Sequence, residues 1–265
     1  MTDLKLVGRG RTADIFAWSP GQVLKLFHAG WREEQAAREA RLTHAVHSAG
    51  LPVPAVADVD IIELDGRYGF VCERIDGPTL LSAMTAKPWT LFRAARLLAE
   101  LHLKISACTV PGLASQHQAL HDAIASVVSL SIAMRHAAQQ VLSQLPDGDR
   151  LCHGDFHPDN VVLSQHGPVI IDWVTATRGN PLGDAMRTSM LLTVASPNGP
   201  ALQRWLIRCG RAVFHHMYLR HYAAQQHILP ANVVAWAKPI YAARLAEGIA
   251  EEHDSLMKLV AQHMA

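Results

Sequence analysis

The octapeptide HGDFHPDN, residues 153–160, is the most informative stretch of this chain. It forms the pattern H-x-D-x-x-x-x-N, and Asp172 follows at the end of the β-prone run Val169–Ile171. Phosphoryl transfer needs a carboxylate near the attacking hydroxyl and hard oxygen ligands that hold Mg²⁺ on the nucleotide phosphates. Asp155 suits the first task, whereas Asn160 and Asp172 suit the second.

Two other interpretations of this stretch stay open. The first is a polar turn between two buried strands, in which His153 and Asn160 serve as capping or turn residues. The second is a zinc site, whose candidate ligands are His153, Asp155, His157 and Asp159. The zinc interpretation is weaker, because the H-E-x-x-H spacing is missing and Pro158 forbids a regular helix there.

The first 75 residues indicate a small antiparallel sheet with one helix. The predicted strands are Leu4–Val7, Ala13–Trp18, Gln22–Phe27, Val56–Leu64 and Arg67–Arg74. Trp31–Ser48 has a helical composition and ends before Gly50. The predicted order is therefore β-β-β-α-β-β.

A glycine-containing loop, Gly8-Arg9-Gly10-Arg11-Thr12-Ala13, joins the first two predicted strands. Its glycines, Gly8 and Gly10, would let backbone N–H groups approach phosphates closely. The pattern G-x-G-x-x-A is weak on its own and also fits an ordinary hairpin turn. A dinucleotide-binding loop is disfavoured, because β-prone residues follow where a helix would be needed.

Lys25 lies in the apolar run Val23–Phe27, where a lone lysine is usually the solvent-facing residue. A lysine that reaches nucleotide phosphates needs an acidic partner on the next helix. Glu39 is the candidate, because helical spacing places it on one face with Leu42 and Val46, and a carboxylate on an inward face needs a partner.

A break at Ile75–Pro78 separates this part from a mainly helical remainder. Helices are predicted over Thr90–Ile105, His121–Leu145 and Ala201–Gln226, and two short strands over Val161–Leu163 and Val169–Ile171. The sequence therefore predicts an α+β, two-lobed protein, with a small antiparallel sheet and one helix in residues 1–75 and a helical lobe in residues 76–265.

Taken in order, these features resemble the aminoglycoside phosphotransferase and choline kinase superfamily, which has the protein-kinase fold. The resemblance rests on Gly8 and Gly10, Lys25, Glu39, the segment Glu73–Gly77, the octapeptide and Ile171-Asp172-Trp173. Gly154 stands where eukaryotic protein kinases usually have arginine, and Trp173-Val174 where they have Phe-Gly. Ala13 departs from the family's third glycine.

The resemblance implies a small-molecule kinase with ATP or GTP as donor, Mg²⁺, and a small hydroxyl compound as acceptor. The implied catalytic set is Asp155, His153 and Asp184, with Asp184 bracing the catalytic loop. The implied metal ligands are Asn160 and Asp172. Backbone groups near Glu73 and Ile75 would bind the nucleotide base, with Cys72 deeper in that pocket, and the nucleotide is expected between the two lobes. A protein kinase or a catalytically inactive nucleotide-binding module is the alternative.

Composition limits the possible partners. The chain has 265 residues and a formal net charge of +1, so no bulk field would recruit nucleic acid. No apolar run is long enough to span a bilayer, and no signal peptide is recognisable. Four cysteines far apart in sequence are expected to be reduced thiols. We therefore expect a cytoplasmic protein without nucleic-acid or membrane partners; its oligomeric state stays open.

The segment between Asp184 and Glu247 contains no acidic residue and seven basic ones. These are Arg187, Arg204, Arg208, Arg211, Arg220, Lys238 and Arg244. Most are expected to be solvated, but any that point inward would favour a neutral or anionic acceptor and repel amines. The later acids Glu247, Glu251, Glu252 and Asp254 are expected to face solvent, and the aromatic residues Trp205, Phe214, Tyr218, Tyr222 and Trp236 to lie in the core.

Overall fold

The computed structural model describes residues 4–10, 12–56, 58–194 and 200–262. Arg11 of the glycine-containing loop lies outside the described residues, as do both chain ends. The chain forms two compact units. Unit 1 comprises Met1–Ala83 and Asp159–Val174, and unit 2 comprises Met84–Pro158 and Thr175–Ala265. The predicted functional lobes, residues 1–75 and 76–265, stay a prediction; the compact units differ from them because residues 76–83 and 159–174 belong to unit 1.

Unit 1 contains a five-stranded antiparallel sheet in the order β1-β2-β3-β5-β4. Its strands are β1 (Leu6–Arg9), β2 (Ala13–Ser19), β3 (Gln22–Phe27), β4 (Ile62–Leu64) and β5 (Arg67–Glu73). Helix α1 (Glu33–Ser48) lies between β3 and β4 in the chain and buries Ala36, Glu39, Ala40, Leu42 and Val46. The predicted β-β-β-α-β-β order and α+β class are confirmed, although β1 starts two residues later than predicted.

In the predicted strand Val56–Leu64, only Ile62–Leu64 is a strand; the prediction was wrong for Val56 and for residues 58–61, and Ala57 lies outside the described residues. Side chains of α1, rather than a neighbouring strand, contact the backbone carbonyl groups of this segment. His44 Nδ1 lies 2.7 Å from the Val56 carbonyl oxygen, and His47 Nδ1 lies 3.1 Å from the Val53 carbonyl oxygen. Val53 and Val56 are buried, whereas Asp58 and Asp60 are exposed. The apolar residues thus anchor a loop rather than alternate along a strand.

Unit 1 also includes the hairpin β7 (Val161–Ser164) and β8 (Gly167–Ile170), close to the two strands predicted there. The segment after the hinge packs on β7, because the Leu163 N–H donates to the Pro78 carbonyl over 2.9 Å. Gly77 has φ +154°, and a Cβ there would lie 2.2 Å from the Leu163 carbonyl oxygen. Only glycine fits this crossing.

Unit 2 is mainly helical. Its α-helices that follow α2 (Leu80–Ala86) are α3 (Leu91–Ala107), α4 (Gln116–Ser126), α5 (Ile132–Gln144), α6 (Pro181–Thr193), α7 (Ala201–Gln226), α8 (Pro230–Val234), α9 (Ala237–Arg244) and α10 (Ala250–Gln262). Strands β6 (Arg150–Cys152) and β9 (Thr177–Gly179), which the sequence analysis did not predict, pair antiparallel on either side of the octapeptide.

The prediction of one helix over His121–Leu145 was wrong, because the chain breaks between α4 and α5. Val127 is extended, and the Ser131 hydroxyl caps α5 by accepting the Met134 N–H over 3.2 Å. An apolar composition alone did not reveal this break, since Val128 and Ile132 are exposed despite being apolar. Across the described residues, no helix combines the length and apolar character needed to cross a membrane.

The crossing at Gly77 gives a stability prediction. Gly77→Ala should lower the free energy of unfolding by about 1–3 kcal/mol for the positive φ and by about 1–3 kcal/mol more for the clash with Leu163. Gly167→Ala is the matched control, because it has φ +118° with nothing within 4 Å of the added Cβ. Urea unfolding of both variants measures the difference, and equal losses would show that the crossing is not tight.

Candidate functional site

A partly buried ion-pair cluster in unit 1 joins β3, α1 and the segment just after β8. The Lys25 ammonium lies 2.6 Å from Glu39 Oε1 and 3.1 Å from Asp172 Oδ1. Burial opposes the charged form of Lys25, but Glu39 and Asp172 outweigh it and raise the lysine pKa above its ordinary value. Lys25 is therefore a fixed cation held between two carboxylates, and the solvent-facing interpretation of this lysine was wrong.

Asp172 and Asn160 lie at the same end of the β7–β8 hairpin. Val161 pairs with Ile170, and the Ile171 N–H donates to the Asn160 carbonyl over 3.0 Å. Asp172 has φ +66°, an uncommon conformation for a residue other than glycine and one that is held where the surroundings demand it. An amide oxygen and a carboxylate at one hairpin end are hard ligands of the kind that Mg²⁺ takes, together with phosphate oxygens and water.

The predicted phosphate loop is only partly described. Gly8 lies in β1, and the Gly10 N–H donates to the Ala13 carbonyl over 2.8 Å. A Cβ at Gly10 would lie 3.1 Å from that same oxygen, so the turn is tight, whereas Gly8 has ordinary space around it. Contact of this loop with phosphates stays a prediction.

The predicted base-binding residues lie at the end of β5. Cys72 and Glu73 line a cavity of about 520 Å³ in unit 1, and burial raises the pKa of the Cys72 thiol to about 11, so the thiol stays protonated. The N–H of Glu73 donates to Ala55 and that of Arg74 to Gly21. Ile75 is not among the residues that line the cavity, and contact of its backbone with a base stays a prediction.

One buried carboxylate holds the first part of the octapeptide, residues 153–155, in unit 2. Asp184 Oδ2 accepts the His153 N–H over 2.7 Å, and Asp184 Oδ1 accepts the Gly154 N–H over 2.8 Å. Asp184 lies in the first turn of α6, which follows β9 in the chain. Because β9 pairs with β6, and β6 leads directly into His153, this turn lies beside the loop. Gly154 has φ +78°, and a Cβ would lie 2.7 Å from the Thr175 carbonyl oxygen, which explains glycine at this position of the octapeptide.

His153 and Asp155 are set by the same loop. His153 is fully buried, and its Nδ1 accepts the Asp155 backbone N–H over 3.2 Å. The buried ring therefore stabilises the turn by bonding to its backbone. The Asp155 carboxylate is partly exposed and lies 3.6 Å from His157 Nε2. Burial favours its neutral form, but His157, Arg187 and His153 outweigh burial and hold the pKa of Asp155 well below its ordinary value. Asp155 is thus an anion at neutral pH.

His102 belongs to the site, although the sequence analysis missed it. Its Nε2 lies 3.0 Å from Asp184 Oδ2 and its Nδ1 lies 2.7 Å from the Tyr218 hydroxyl, all in the buried core. His102 is one of 16 histidines and occupies an apolar helix face. Since α7 is remote in sequence, only the packing of α3, α6 and α7 shows that this histidine orients Asp184.

Two arginines expected to be mostly solvated point inward instead. Arg187 Nε donates to the Gly154 carbonyl over 3.0 Å, and its guanidinium pairs with Glu247. Arg244 contacts Glu252 at 2.7 Å and Glu247 at 2.5 Å, and its side chain is 5% exposed. The expectation that Glu252 faces solvent was therefore wrong, because Glu252 is buried. Glu247, Glu251 and Asp254 are exposed as expected, although the Glu247 carboxylate pairs with both arginines.

The aromatic residues divide differently from the prediction. Phe214, Tyr218, Tyr222 and Trp236 are buried, as expected, whereas Trp205 is 59% exposed. Trp205 lies in the first half of α7, which packs less than the second half. Helical composition identifies the helix but does not show where its packing ends.

The zinc interpretation gains no support. Within the described ranges, no group of three or more His, Cys, Asp and Glu residues is arranged to hold a metal ion. His153 directs Nδ1 to a backbone N–H, and the Asp159 carboxylate accepts the Thr79 hydroxyl over 2.8 Å. These groups have structural partners rather than a shared centre.

Comparison with known proteins gives a consistent result. A family model described as "Phosphotransferase enzyme family" matches residues 3–217. The fold is similar to a thermostable mutant of aminoglycoside phosphotransferase APH(4)-Ia in a ternary complex with AMP-PNP and hygromycin B, at 17% identity and TM-score 0.68, covering 98% of this chain and 92% of that one.

Two further solved structures are similar. The streptomycin–ATP–APH(2")-IIa ternary complex gives 15% identity and TM-score 0.62, covering 98% of this chain and 91% of that one. The GDP complex of aminoglycoside 2'-phosphotransferase-IIIa gives 17% identity and TM-score 0.58, covering 98% and 92%. At these identities the structures confirm the kinase-like fold. Curated protein sequences give no significant match.

The buried carboxylate of Asp184 gives a pH prediction. Burial favours its neutral form, but the hydrogen bond and charge of His102 and the Gly154 N–H lower its pKa below the ordinary value. The stabilisation by a lowered carboxyl pKa is present above about pH 4 and is lost as pH falls through the folded-state pKa. Asp184→Asn should therefore cost about 3 kcal/mol or more at neutral pH, and less in acid.

Urea unfolding across a pH series measures this difference between wild type and variant. Asp254→Asn is the control, because Asp254 is an exposed carboxylate in the same unit. A loss for Asp184→Asn that stayed constant down to the lowest pH at which the protein folds would show that the charge of Asp184 is not what stabilises the loop.

Proposed function

The chain belongs to the phosphotransferase enzyme family, and within it we propose that this protein transfers the γ-phosphoryl group of ATP to a hydroxyl group of a small molecule. The observation that carries this proposal is the half-buried cation Lys25, whose ammonium lies 2.6 Å from Glu39 and 3.1 Å from Asp172. A lysine fixed in this way presents a positive charge to nucleotide phosphates without having to be ordered when the nucleotide binds.

The nucleotide-binding roles fall to unit 1. Lys25 would contact the phosphates, Gly8 and Gly10 would let the β1–β2 turn approach them, and the Ile75 backbone would contact the base. Asn160 and Asp172 would hold Mg²⁺, which when bound neutralises charge on the phosphate oxygens. GTP stays an alternative donor, because none of these contacts distinguishes the two bases.

Asp155 would act on the acceptor. Its carboxylate would accept a hydrogen bond from the acceptor hydroxyl and orient the oxygen toward the γ-phosphorus. As the new P–O bond forms and the bond to the leaving nucleoside diphosphate breaks, the hydroxyl proton passes to Asp155 and then to solvent. The lowered pKa of Asp155 makes it a weak base, so orientation contributes more than proton abstraction before bond formation.

The acceptor is a small hydroxyl compound, and its charge is less restricted than the sequence suggested. The expected repulsion of amines relied on inward-pointing arginines, but Glu247 and Glu252 neutralise both Arg187 and Arg244. An acceptor panel should therefore include aminoglycosides, neutral polyols and hydroxy acids. We also propose a cytoplasmic location, since all four cysteines are free thiols.

The alternatives are less favoured. A protein kinase would need an A-P-E segment and a longer activation loop than the stretch from Asp172 to Asp184 provides. An inactive nucleotide-binding module would have no reason to keep all four phosphate-handling groups, Lys25, Asp155, Asn160 and Asp172. Thermal shift with nucleotide and Mg²⁺, followed by the acceptor panel, tests the proposal; no shift with any nucleotide would contradict it.

Asp155→Asn should lower turnover by about 10²-fold or more, because the amide cannot take the proton and orients the hydroxyl less well. Nucleotide binding should change little. Steady-state kinetics with an accepted acceptor, combined with nucleotide titration, separates the two effects. Asp149→Asn is the control, an exposed carboxylate just before β6; normal turnover of Asp155→Asn would remove Asp155 from this role.

Asp172→Ala should abolish activity at every Mg²⁺ concentration, because the variant loses a metal ligand as well as one partner of Lys25. Mg²⁺ should bind the wild type only when nucleotide is present, which isothermal titration with and without nucleotide can measure. Stoichiometric zinc in the purified protein, lost on replacing His153 and His157, would favour a hydrolase instead.

A further inference from the structure

The first half of α7 has no buried residue. Every residue from 201 to 213 is exposed or half-buried, whereas the buried side chains of α7 begin at Phe214. Large apolar residues recur at three- and four-residue spacing on one face of this half: Leu202 is 69% exposed, Trp205 59%, Leu206 55% and Val213 43%. Such a stripe is costly to leave in water.

The start of α3 adds aromatic side chains at the same level. Helices α3 and α7 run parallel, because His102 meets Tyr218 and Ser106 meets Tyr222, with the same sequence separation of 116. Continued to the first residue of α3, this register places Leu91 level with Ile207, and Trp89 lies in the 3-10 turn just before it. Trp89 is 75% exposed, and Phe92, one turn later, is 58% exposed.

We name these residues the helix-start surface. It consists of Trp89, Phe92, Leu202, Trp205 and Leu206.

The two sequence segments that supply the helix-start surface carry charge of one sign. No acidic residue occurs from Gly77 to Ala99 or from Ala185 to Ala246. Exposed basic side chains flank the apolar ones in both segments, namely Lys87, Arg93, Arg204 and Arg208. The apolar stripe and the basic residues therefore belong to the same short helical ends, so one partner would meet both.

The chemistry of this surface decides between partners. Two copies of the chain would bring basic residues against basic residues, which disfavours a symmetric dimer. A helix exposed all round offers no groove for a peptide. Exposed tryptophans with leucines on one face and arginines on the other are the composition of helices that lie in the headgroup region of anionic bilayers.

We propose that the helix-start surface docks the protein on anionic lipid bilayers as a peripheral contact. Trp89, Trp205 and Leu206 would enter the headgroup region, and Lys87, Arg93, Arg204 and Arg208 would contact anionic lipid headgroups. This replaces the expectation that the protein has no membrane partner. It is independent of the proposed kinase function, since none of these residues belongs to the catalytic or nucleotide-binding set.

Vesicle co-sedimentation of the full chain tests the proposal. Pure phosphatidylcholine vesicles are compared with vesicles in which about a third of the lipid is phosphatidylglycerol, at low salt and at about 1 M salt. We expect binding to the anionic vesicles only, lost at high salt. Blue-shifted tryptophan emission with these vesicles would accompany binding, since Trp89 and Trp205 leave water.

Two double variants separate the apolar and the charged contributions. Trp205→Ser/Leu206→Ser should weaken partitioning about tenfold or more by removing buried apolar area. Arg204→Glu/Arg208→Glu should weaken it by a similar factor. The controls are Val128→Ser/Ile132→Ser, at apolar residues that are 93% and 71% exposed elsewhere in unit 2, and Arg41→Glu on α1. Thermal melting by circular dichroism confirms that each variant folds.

Each outcome decides the proposal. Loss of binding in both test variants, with the controls unchanged, supports it. No binding to either vesicle type, equal binding to both, or equal losses in test and control variants would overturn it. Concentration-dependent dimers that Trp205→Ser/Leu206→Ser abolishes, without vesicle binding, would show that the surface joins two copies instead. All variants should keep the thermal shift that nucleotide gives the wild type. The vesicle result therefore does not depend on whether the kinase proposal holds.

Discussion

The hydrogen bonds to the buried carboxylate of Asp184 are the interactions on which the loop at residues 153–155 depends. A charge that is 1% exposed is stable only where several donors surround it, and here the N–H groups of His153 and Gly154 and the ring of His102 do so. These donors come from the loop and from α3, whereas Asp184 comes from α6. The carboxylate therefore sets the backbone that carries Asp155, and the loop cannot take this conformation unless α3 and α6 have packed.

The inward-facing cations of both units are neutralised by the same principle. Lys25 lies between Glu39 and Asp172 in unit 1, while Arg187 and Arg244 share Glu247 in unit 2. Pairing makes a buried cation tolerable and fixes its direction, because each guanidinium or ammonium has more than one acceptor. The acid-free stretch therefore did not indicate that Arg187 and Arg244 are paired, because their partners Glu247 and Glu252 come after it in the sequence.

Local sequence patterns predicted the elements whose formation depends on neighbouring residues in the chain. The β-β-β-α-β-β order followed from alternation and turn residues, and α1 followed from the apolar face that includes Leu42 and Val46. The same reasoning failed at Val56–Leu64 and at His121–Leu145. In the first, histidines of α1 take the place of a neighbouring strand; in the second, a serine cap restarts the helix. Both depend on which partner satisfies a backbone group.

By itself, the sequence determined the kinase-like class and the candidate residues Lys25, Glu39, Asp155, Asn160 and Asp172, because residue types at fixed spacing limit the chemistry that a loop can perform. Only the tertiary structure decided which of 16 histidines supports the loop, which arginines are inward, and which apolar residues of α7 are left without a partner. Those facts depend on contacts between segments far apart in the chain, as between His102 and Tyr218. Spacing along a sequence does not encode such contacts, since they form only when whole helices pack.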